Sequence, residues 1–257
     1  MANIVALTKE LFSDKFWKRK DDFLFASKDN FVSIVELEAG KVLLNQPIGF
    51  VKNEDRFFPV AIQGILPGQN LYVTVDGKWR IGYVPAYYKF HPFRLGASQE
   101  GTLHLCADLE SGLINDNEGE PFFDENGEPS ENIKIITNGL AVFQENLAKT
   151  VQICHVLAEL NLIKEWDLSY INQGENVLAK GFYCVDEDLF NKLDEENFLK
   201  VRNCGGLPLV YGHFFSVGNM ESLVKITNQF LDESNKPVPD FDKMFGQEDD
   251  ILSFDGF

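Results

Sequence analysis

The sequence predicts an α+β protein with a β-rich N-terminal half and a mostly helical C-terminal half. Residues 1–110 contain short aromatic and β-branched runs separated by turn residues, which is typical of strands joined by hairpins. Residues 133–160 instead repeat apolar side chains at steps of three and four, which is typical of a helix. The two patterns are segregated along the chain, so a doubly wound parallel sheet is not expected.

Strand-like runs occupy much of the first half, at residues 57–65, 70–75 and 79–84. Asp76-Gly77 separates the last two runs and predicts a hairpin, because the tightest hairpin turns require positive φ. Residues 35–46 fit either a short helix or a broken strand.

An acidic, turn-rich stretch follows over residues 108–132 and is expected to form a hairpin with Asn126-Gly127 at its tip. Charge runs are usually solvated, so a solvated hairpin is the main expectation. A divalent-cation site and a docking surface for a basic partner are the alternatives, although the spacing does not match the D-x-[DN]-x-[DN]-G calcium loop. The candidate metal ligands are Asp116, Glu118, Glu120 and Asp124.

The clearest helix of the chain is expected over residues 133–160. Ser130 precedes it as a candidate N-cap, and Glu131 suits the positive end of the helix dipole. Gly139 lies inside the helix, where glycine costs about 1 kcal/mol relative to alanine. A kink or a close contact is therefore expected at Gly139.

A second hairpin is expected from residues 168–171 against residues 177–185. Asp186 and Asp194 each precede a helical pattern, and their carboxylates are expected to cap the first N–H groups of those helices.

Pro208 fits the first turn of a further helix, and Gly218-Asn219 is expected to separate that helix from the last one. These elements predict a single α+β domain over residues 1–232. Residues 233–257 form an acidic tail that keeps several phenylalanines. Disordered tails rarely hold so many aromatic residues, so this tail is expected to dock on the domain or on a partner.

Charge and composition exclude several classes of protein. The 257 residues include 23 Lys or Arg and 40 Asp or Glu, a formal net charge of −17. Nucleic-acid binding is not expected, because phosphate contacts depend on clustered basic residues. No apolar run approaches the roughly 20 residues of a transmembrane helix. The four cysteines fit reduced thiols and no export signal is visible, which predicts a cytoplasmic protein; export without a cleaved signal is the alternative.

Short catalytic signatures are absent from the chain, which has no G-x-G-x-x-G, P-loop, H-E-x-x-H or G-x-S-x-G motif. The weak candidates for nucleophilic chemistry are Tyr211, His213 and Ser216, which share about one helical turn and a half. Such chemistry also needs an orienting acid and an oxyanion hole, and neither can be identified, so core packing is the main expectation. No cofactor is expected.

Aromatic residues are dense over residues 79–93, and tyrosine and phenylalanine are favoured anchors of protein interfaces. Core packing explains this density most simply, and a surface for a polypeptide partner is the alternative. The candidate partner-binding residues are Trp79, Tyr83, Tyr87, Tyr88, His91 and Phe93. The basic cluster at residues 15–20 is flanked by aspartates, so an internally balanced surface is expected there.

Residues 58–95, with the sequence FPVAIQGILPGQNLYVTVDGKWRIGYVPAYYKFHPFRL, resemble the SapC family of bacterial proteins. The resemblance lies in a PGQNLFV-like turn, a D-G-x-W hairpin, a Y-V-P segment and an aromatic-Pro-Phe close. Residues 105–129, 181–193 and 206–216 are similar to further segments of that family.

The resemblance implies an association with bacterial surface layers and no established catalytic residue. It also implies a setting shared with tryptophan-halogenase-like flavoproteins, cupin-like oxygenases and TonB-dependent receptors. The expected function is a non-catalytic accessory protein that binds a polypeptide partner in a surface-layer, outer-membrane receptor or peptide-modification system. The alternatives are an enzyme acting on peptides or small metabolites near His213 or His91, and a structural component of the surface layer.

Overall fold

The computed structural model describes residues 3–19, 22–97 and 102–234. Within these residues the helices are α1 (Lys9–Phe12), α2 (Ala39–Val42), α3 (Ala86–Lys89), α4 (Glu131–Glu159), α5 (Glu187–Asn191), α6 (Glu195–Asn203) and α7 (Leu207–Ser234). The strands are β1 (Ile4–Ala6), β2 (Phe16–Trp17), β3 (Phe31–Ser33), β4 (Ile48–Asn53), β5 (Arg56–Ile62), β6 (Phe93–Ala97), β7 (Leu103–Asp108), β8 (Ile114–Asn115), β9 (Glu120–Pro121), β10 (Ile163–Glu165), β11 (Leu168–Asn172), β12 (Glu175–Ala179) and β13 (Phe182–Val185). This order confirms the α+β class.

A five-stranded antiparallel sheet in the order β10-β13-β4-β5-β3 forms the centre of the fold. Strand β5 confirms the strand predicted over residues 57–65, and its residues Val60, Ala61 and Ile62 are fully buried. Successive side chains of a strand point to opposite faces, so both faces of this sheet are covered. Ala61 belongs to the same apolar core as part of α4, and its two neighbours share a second core with part of α7.

Two three-stranded sheets, β1-β7-β6 and β8-β2-β9, and the hairpin β11-β12 complete the β structure. Strand β3 ends the central sheet and strand β6 ends its own sheet. Within the described residues, each of these strands therefore has one edge without a neighbouring strand.

Helix α4 confirms the long helix predicted over residues 133–160. Its buried side chains belong to two apolar cores. Ile133 and Leu140 lie in the core that includes β6 and β7, and Ile153 and Leu157 lie in the core of the central sheet. The helix thereby connects the two main β regions.

The start of α4 corrects one detail of the prediction. Ser130 occupies the N-cap position, but its hydroxyl makes no capping hydrogen bond; Glu131 lies in the first turn as expected. The close contact expected at Gly139 is confirmed, because a Cβ there would lie 2.8 Å from Phe90 Cε1.

Helix α7 continues from Leu207 to Ser234, so the separation predicted at Gly218-Asn219 is wrong. The amide of Asn219 donates to the carbonyl of Leu43 at 2.7 Å, which fastens the helix to the residue after α2. One helical glycine costs about 1 kcal/mol, which is small beside the packing of a long helix on the sheet. Pro208 lies in the first turn, as predicted.

The turn at Asp76-Gly77 forms, with Gly77 at φ +80°. The strands predicted on its two sides do not extend, because a single bridge joins Val73 and Trp79. The aromatic rings around the turn pack into the core instead. Residues 35–46 adopt the helical alternative as a short 3₁₀ turn followed by α2.

The acidic stretch forms its predicted turn, with Gly127 at φ +74° and a bridge between Phe123 and Pro129. It does not form one long hairpin. Its first part contributes β8 and β9, which pair on either side of β2 rather than with each other. The fully buried Phe122 explains why the stretch lies against the body of the protein.

The second hairpin is confirmed as β11 and β12, although its second arm ends at Ala179 and β13 joins the central sheet. Asp186 and Asp194 cap α5 and α6, accepting the N–H groups of Leu189 and Asn197 at 3.1 and 2.8 Å.

The domain over residues 1–232 stays a prediction, and residues 235–257 of the proposed tail lie outside the described residues. Among the helices described here, none is long and apolar enough to cross a membrane. The four cysteines are free thiols.

Candidate functional site

The aromatic segment around α3 is divided between core and surface. Tyr88 and Phe93 are buried, Trp79 and Tyr83 are half-buried, and Tyr87 is exposed. The Trp79 indole donates to the Tyr83 carbonyl at 3.1 Å, and its ring packs edge-on against Tyr88 with centroids 5.9 Å apart. Core packing thus accounts for part of the segment, and the remainder faces solvent.

Glu38 holds this segment in place through hydrogen bonds to Tyr83 and Ala86. Its side chain is buried, and Oε2 accepts the Tyr83 hydroxyl at 2.9 Å and the Ala86 N–H at 2.8 Å. Oε1 accepts the N–H of Val35 at 3.1 Å. Three donors stabilise the buried carboxylate. Desolvation and the neighbouring carboxylate raise the pKa of Tyr83 above its ordinary value, so its hydroxyl remains a donor.

Phe25 and His91 form a ridge on the surface of this region. Their rings are stacked, with centroids 3.8 Å apart and planes inclined by 8°. A cleft lies on each side of the ridge: cleft 1 has a volume of about 670 Å³ and cleft 2 about 630 Å³. Phe25, Tyr88, His91 and Asp108 line both clefts. Ligand-binding clefts have volumes of about 300–1,000 Å³.

The ridge keeps its position because the chain on the Phe25 side is fastened to the core. Ala26 is fully buried, whereas Phe25 beside it is 39% exposed. The N–H of Phe23 donates to the carbonyl of Gly77 at 2.7 Å, which ties this segment to the Asp76-Gly77 turn. The short 3₁₀ turn over Leu24–Ala26 therefore directs the Phe25 ring towards solvent.

A polar network, here called the floor, joins Tyr88 of the clefts to Gln63, Asp29 and Asn70. The Tyr88 hydroxyl lies 2.8 Å from Gln63 Oε1 and 3.2 Å from Asp29 Oδ2, and the Asn70 amide donates to the same Gln63 oxygen at 2.7 Å. Desolvation and the nearby carboxylate raise the pKa of Tyr88, and desolvation raises the pKa of Asp29. The floor therefore holds Tyr88 as a neutral donor.

The walls of the two clefts carry four basic and four acidic side chains. They are Arg19, Lys28, Lys89, Arg94, Asp22, Asp29, Asp108 and Glu110. Their formal charge sums to zero in a chain whose net charge is −17. The clefts are thus less acidic than the protein as a whole.

His91 contributes a neutral ring to the ridge. Desolvation lowers its pKa below the ordinary value, although Asp108 and Asp22 oppose the shift. Within the described residues, neither ring nitrogen of His91 makes a hydrogen bond. The exposed part of the stack is therefore an aromatic surface rather than a charged one.

Four of the six predicted partner-binding residues line the clefts. Tyr88 and His91 line both clefts, and Tyr87 and Phe93 line cleft 2. Trp79 and Tyr83 instead support the segment from the core side. A binding role for the six stays a prediction.

Sequence reasoning missed Phe25 and Phe31, which also line cleft 2. The aromatic residues Phe23 and Phe25 follow the basic cluster closely in the sequence, and this pattern could have indicated Phe25. Phe31 has no local signal, because its position follows from the pairing of β3.

The weak catalytic candidates lie elsewhere and have other partners. His213 is buried between β4 and β13: Nδ1 donates to the Ile48 carbonyl at 2.7 Å, and Nε2 accepts the Val185 N–H at 3.2 Å. The buried Ser216 hydroxyl accepts the Ile48 N–H at 2.9 Å and donates to the His213 carbonyl at 2.8 Å. Both ring nitrogens are thus occupied by backbone groups, and Tyr211 is 41% exposed on the same helix.

Burial lowers the pKa of His213 to about 4, although its hydrogen bond to Ile48 opposes the shift. The ring therefore stays neutral at pH 7. Neither cleft 1 nor cleft 2 includes His213 or Ser216 in its lining. The arrangement fits a core histidine that fills a gap between two strands.

The four candidate metal ligands are engaged separately. Asp116 pairs with Lys15 at 2.7 Å, and Glu118 pairs with Lys18. Glu120 accepts from the Asn132 amide, and Asp124 Oδ1 accepts the N–H groups of Asn126 and Glu128 at 2.9 Å each. No group of three or more His, Cys, Asp or Glu in the described part of the chain is placed to hold a metal ion.

The same ion pairs address the prediction of an internally balanced surface at the basic cluster. Lys15 and Lys18 both face acidic residues of the 108–132 stretch, as an internally balanced surface requires. Lys20 and Asp21 lie outside the described residues.

Comparisons with known proteins bear on the family alone. A family model described as SapC matches residues 7–223, a region that includes both clefts and the His213 site. No curated protein and no solved structure gave a significant match. The resemblance first noted over residues 58–95 is thereby confirmed over most of the length of the chain. The chain belongs to the SapC family.

Proposed function

We propose that this protein is a non-catalytic accessory protein that binds a polypeptide partner across clefts 1 and 2. The observation that carries the proposal is the pair of clefts on either side of the stacked Phe25–His91 ridge. Because the clefts share four lining residues, they adjoin each other at the ridge. A chain segment can occupy two adjoining clefts, whereas a compact small molecule fills one.

Exposed apolar side chains around the ridge support this proposal. Leu24, Phe25, Phe31 and Tyr87 are 38–45% exposed and surround the two clefts. Aromatic residues in partly recessed positions supply much of the binding energy of protein interfaces. The hydrogen bonds of Tyr88 hold its ring in place before binding, which reduces the ordering cost of a ligand that contacts it.

Family membership supports the biological setting. We place the protein in a bacterial surface-layer, outer-membrane receptor or peptide-modification system. Its partner class is a tryptophan-halogenase-like flavoprotein, a cupin-like oxygenase, a TonB-dependent receptor, or a peptide that these proteins handle. The compartment that we propose is the cytoplasm, and fractionation of native cells tests it.

Selection from a phage-displayed library of random dodecapeptides tests the binding function. We expect selected peptides to bind the full chain, and we expect Phe25→Ala to weaken their binding at least tenfold. Phe215→Ala is the matched control, because Phe215 is a 73% exposed aromatic residue on α7 that does not line either cleft. Failure to select any peptide, or equal losses in both variants, would contradict the proposal.

A further inference from the structure

We infer that the polypeptide partner binds in cleft 2 as an added β-strand, hydrogen-bonded to the open edge of β3. This inference rests on the proposed function and specifies how the same site recognises its ligand. Strand addition draws its affinity from main-chain hydrogen bonds and its specificity from the pockets for alternate side chains.

The pairing of β3 with β5 fixes which backbone groups are free. The Ile34 N–H donates to the Pro59 carbonyl at 3.1 Å, and the Gln63 N–H donates to the Asn30 carbonyl at 2.8 Å. In an antiparallel pair, the residues that face the partner strand alternate with residues that face away. Residues 30, 32 and 34 therefore use their backbone groups towards β5.

By the same alternation, Phe31 and Ser33 direct their N–H and C=O groups away from β5. Strand β3 ends the sheet, so this side has no neighbouring strand within the described residues. Phe31, Val32 and Ser33 all line cleft 2. The unpaired groups of the edge thus border the cleft itself.

A second sheet also contributes to the lining of cleft 2. Pro92, Phe93 and Arg94 line it at the start of β6, which ends the β1-β7-β6 sheet. Cleft 2 is therefore a slot bordered by the open edge of β3 and by the start of β6. An extended chain fits such a slot because its backbone can meet β3 while its side chains contact the ridge and the floor.

Strand β3 is a short edge strand, and its side chains do not block pairing with another chain. Natural edge strands carry lysine, proline or a bulge that prevents pairing with other chains. The three residues of β3 are Phe, Val and Ser, and the Phe31 ring is 38% exposed. An edge without blocking side chains beside a cleft suits pairing with a short ligand segment.

The charges of cleft 2 specify the side chains of the ligand. Lys28 and Arg94 are exposed and, within the described residues, form no ion pair. Asp108 Oδ1 accepts two backbone N–H groups, and Asp29 Oδ2 competes with Gln63 for the single Tyr88 hydroxyl proton. Lys28 and Arg94 are the basic groups of cleft 2 that a ligand can pair with. We expect an extended peptide whose apolar side chains face the ridge and whose acidic side chains face Lys28 and Arg94.

Ser33→Pro tests the backbone contact. Proline removes the outward N–H of Ser33 and leaves the hydrogen bonds to β5 intact, a position in which edge strands accept proline. Dodecapeptides selected on the wild-type chain are expected to bind Ser33→Pro at least tenfold more weakly, which corresponds to about 1.4 kcal/mol. Ser33→Ala keeps the N–H and is expected to bind within twofold of wild type, by fluorescence polarisation.

A second measurement on the wild-type chain does not depend on how the variant folds. Single N-methyl groups are placed along the selected peptide, and losses at every second position are expected, because alternate N–H groups of an added strand face β3. Uniform N-methyl effects, or equal binding to a folded Ser33→Pro chain, would overturn strand addition. If Phe25→Ala still weakens binding in that case, the proposed function stands without it. Failure to select any peptide would overturn both.

Discussion

Two histidines of this chain have similar aromatic surroundings but differ in whether the fold uses their ring nitrogens. Both His91 and His213 lie among aromatic rings, and desolvation lowers the pKa of each. His213 has both ring nitrogens hydrogen-bonded to the backbone of two strands. His91 stacks on Phe25 at the surface, and its nitrogens make no hydrogen bond within the described residues.

The difference shows that a shifted pKa alone does not identify a functional site. Desolvation acts wherever a ring is covered, whether a core or a cleft covers it. What separates the two residues is whether polar atoms and ring faces are already used by the fold. By that criterion the fold already uses the ring nitrogens of His213, whereas within the described residues it leaves those of His91 unused.

His213→Phe is the change with the largest expected effect on this contrast. Phenylalanine keeps a ring between β4 and β13 but leaves the Ile48 carbonyl and the Val185 N–H buried without partners. Each unpaired buried group costs about 1–3 kcal/mol, so we expect the free energy of unfolding to fall by about 3–5 kcal/mol. Urea unfolding followed by tryptophan fluorescence measures it. A loss below about 1 kcal/mol would show that the two hydrogen bonds contribute little.

The pH dependence of stability tests the same residue without a substitution. The folded pKa of His213 is about 4, whereas an unfolded histidine titrates near 6.5. Between these values the unfolded chain binds a proton that the folded chain does not. The contribution is therefore fully present above pH 6.5 and is lost as the pH falls towards 4, on the order of 3 kcal/mol.

Urea unfolding at several pH values between 7 and 4 measures this loss, and His213→Phe provides the comparison. We expect the variant to show a shallower decline over that interval. Parallel curves for the two proteins would assign the acid sensitivity to other groups, His91 among them.

The sequence could predict those parts of the molecule that depend on local pattern. The long helix α4 follows from its apolar repeat, and the caps Asp186 and Asp194 follow from their position before helical segments. These features need only neighbours along the chain. The same local reasoning placed a break at Gly218-Asn219, and it was wrong because Asn219 bonds to Leu43, 176 residues away.

The candidate site could be predicted only in part, for the same reason. The aromatic density around Tyr87 and Tyr88 marked one wall of the clefts. Phe25 and the β3 edge belong to another part of the chain, and no local sequence pattern predicts that they lie next to His91. His213 likewise bonds to a carbonyl 165 residues away, so its structural role depended on the register of two strands.

Two helical glycines, one near the Phe25–His91 ridge and one on the helix of His213, test the comparison with a smaller expected change in the free energy of unfolding. Gly139 in α4 lies against Phe90, the residue before His91, and an added Cβ would meet the Phe90 ring at 2.8 Å. Gly139→Ala is expected to destabilise the protein by about 1–2 kcal/mol, because overpacking exceeds the gain in helix propensity. Gly218 in α7 differs, because within the described residues no atom outside its own stretch of helix lies within 4 Å of its Cβ position. Gly218→Ala is therefore expected to stabilise by about 0.5–1 kcal/mol in the same urea experiment. Equal signs would contradict the packing difference.

His91→Phe has the smallest expected effect and is the counterpart of the same substitution at His213. The phenyl ring keeps the stack on Phe25, and no hydrogen bond of the fold is removed, so the free energy of unfolding at pH 7 is expected to change by less than about 0.5 kcal/mol. Binding of selected peptides is expected to stay within twofold, because the neutral ring acts as an aromatic surface. A loss above about 2 kcal/mol would mean that the His91 nitrogens support the fold as those of His213 do. The hydrogen-bond criterion would then fail to separate the two regions.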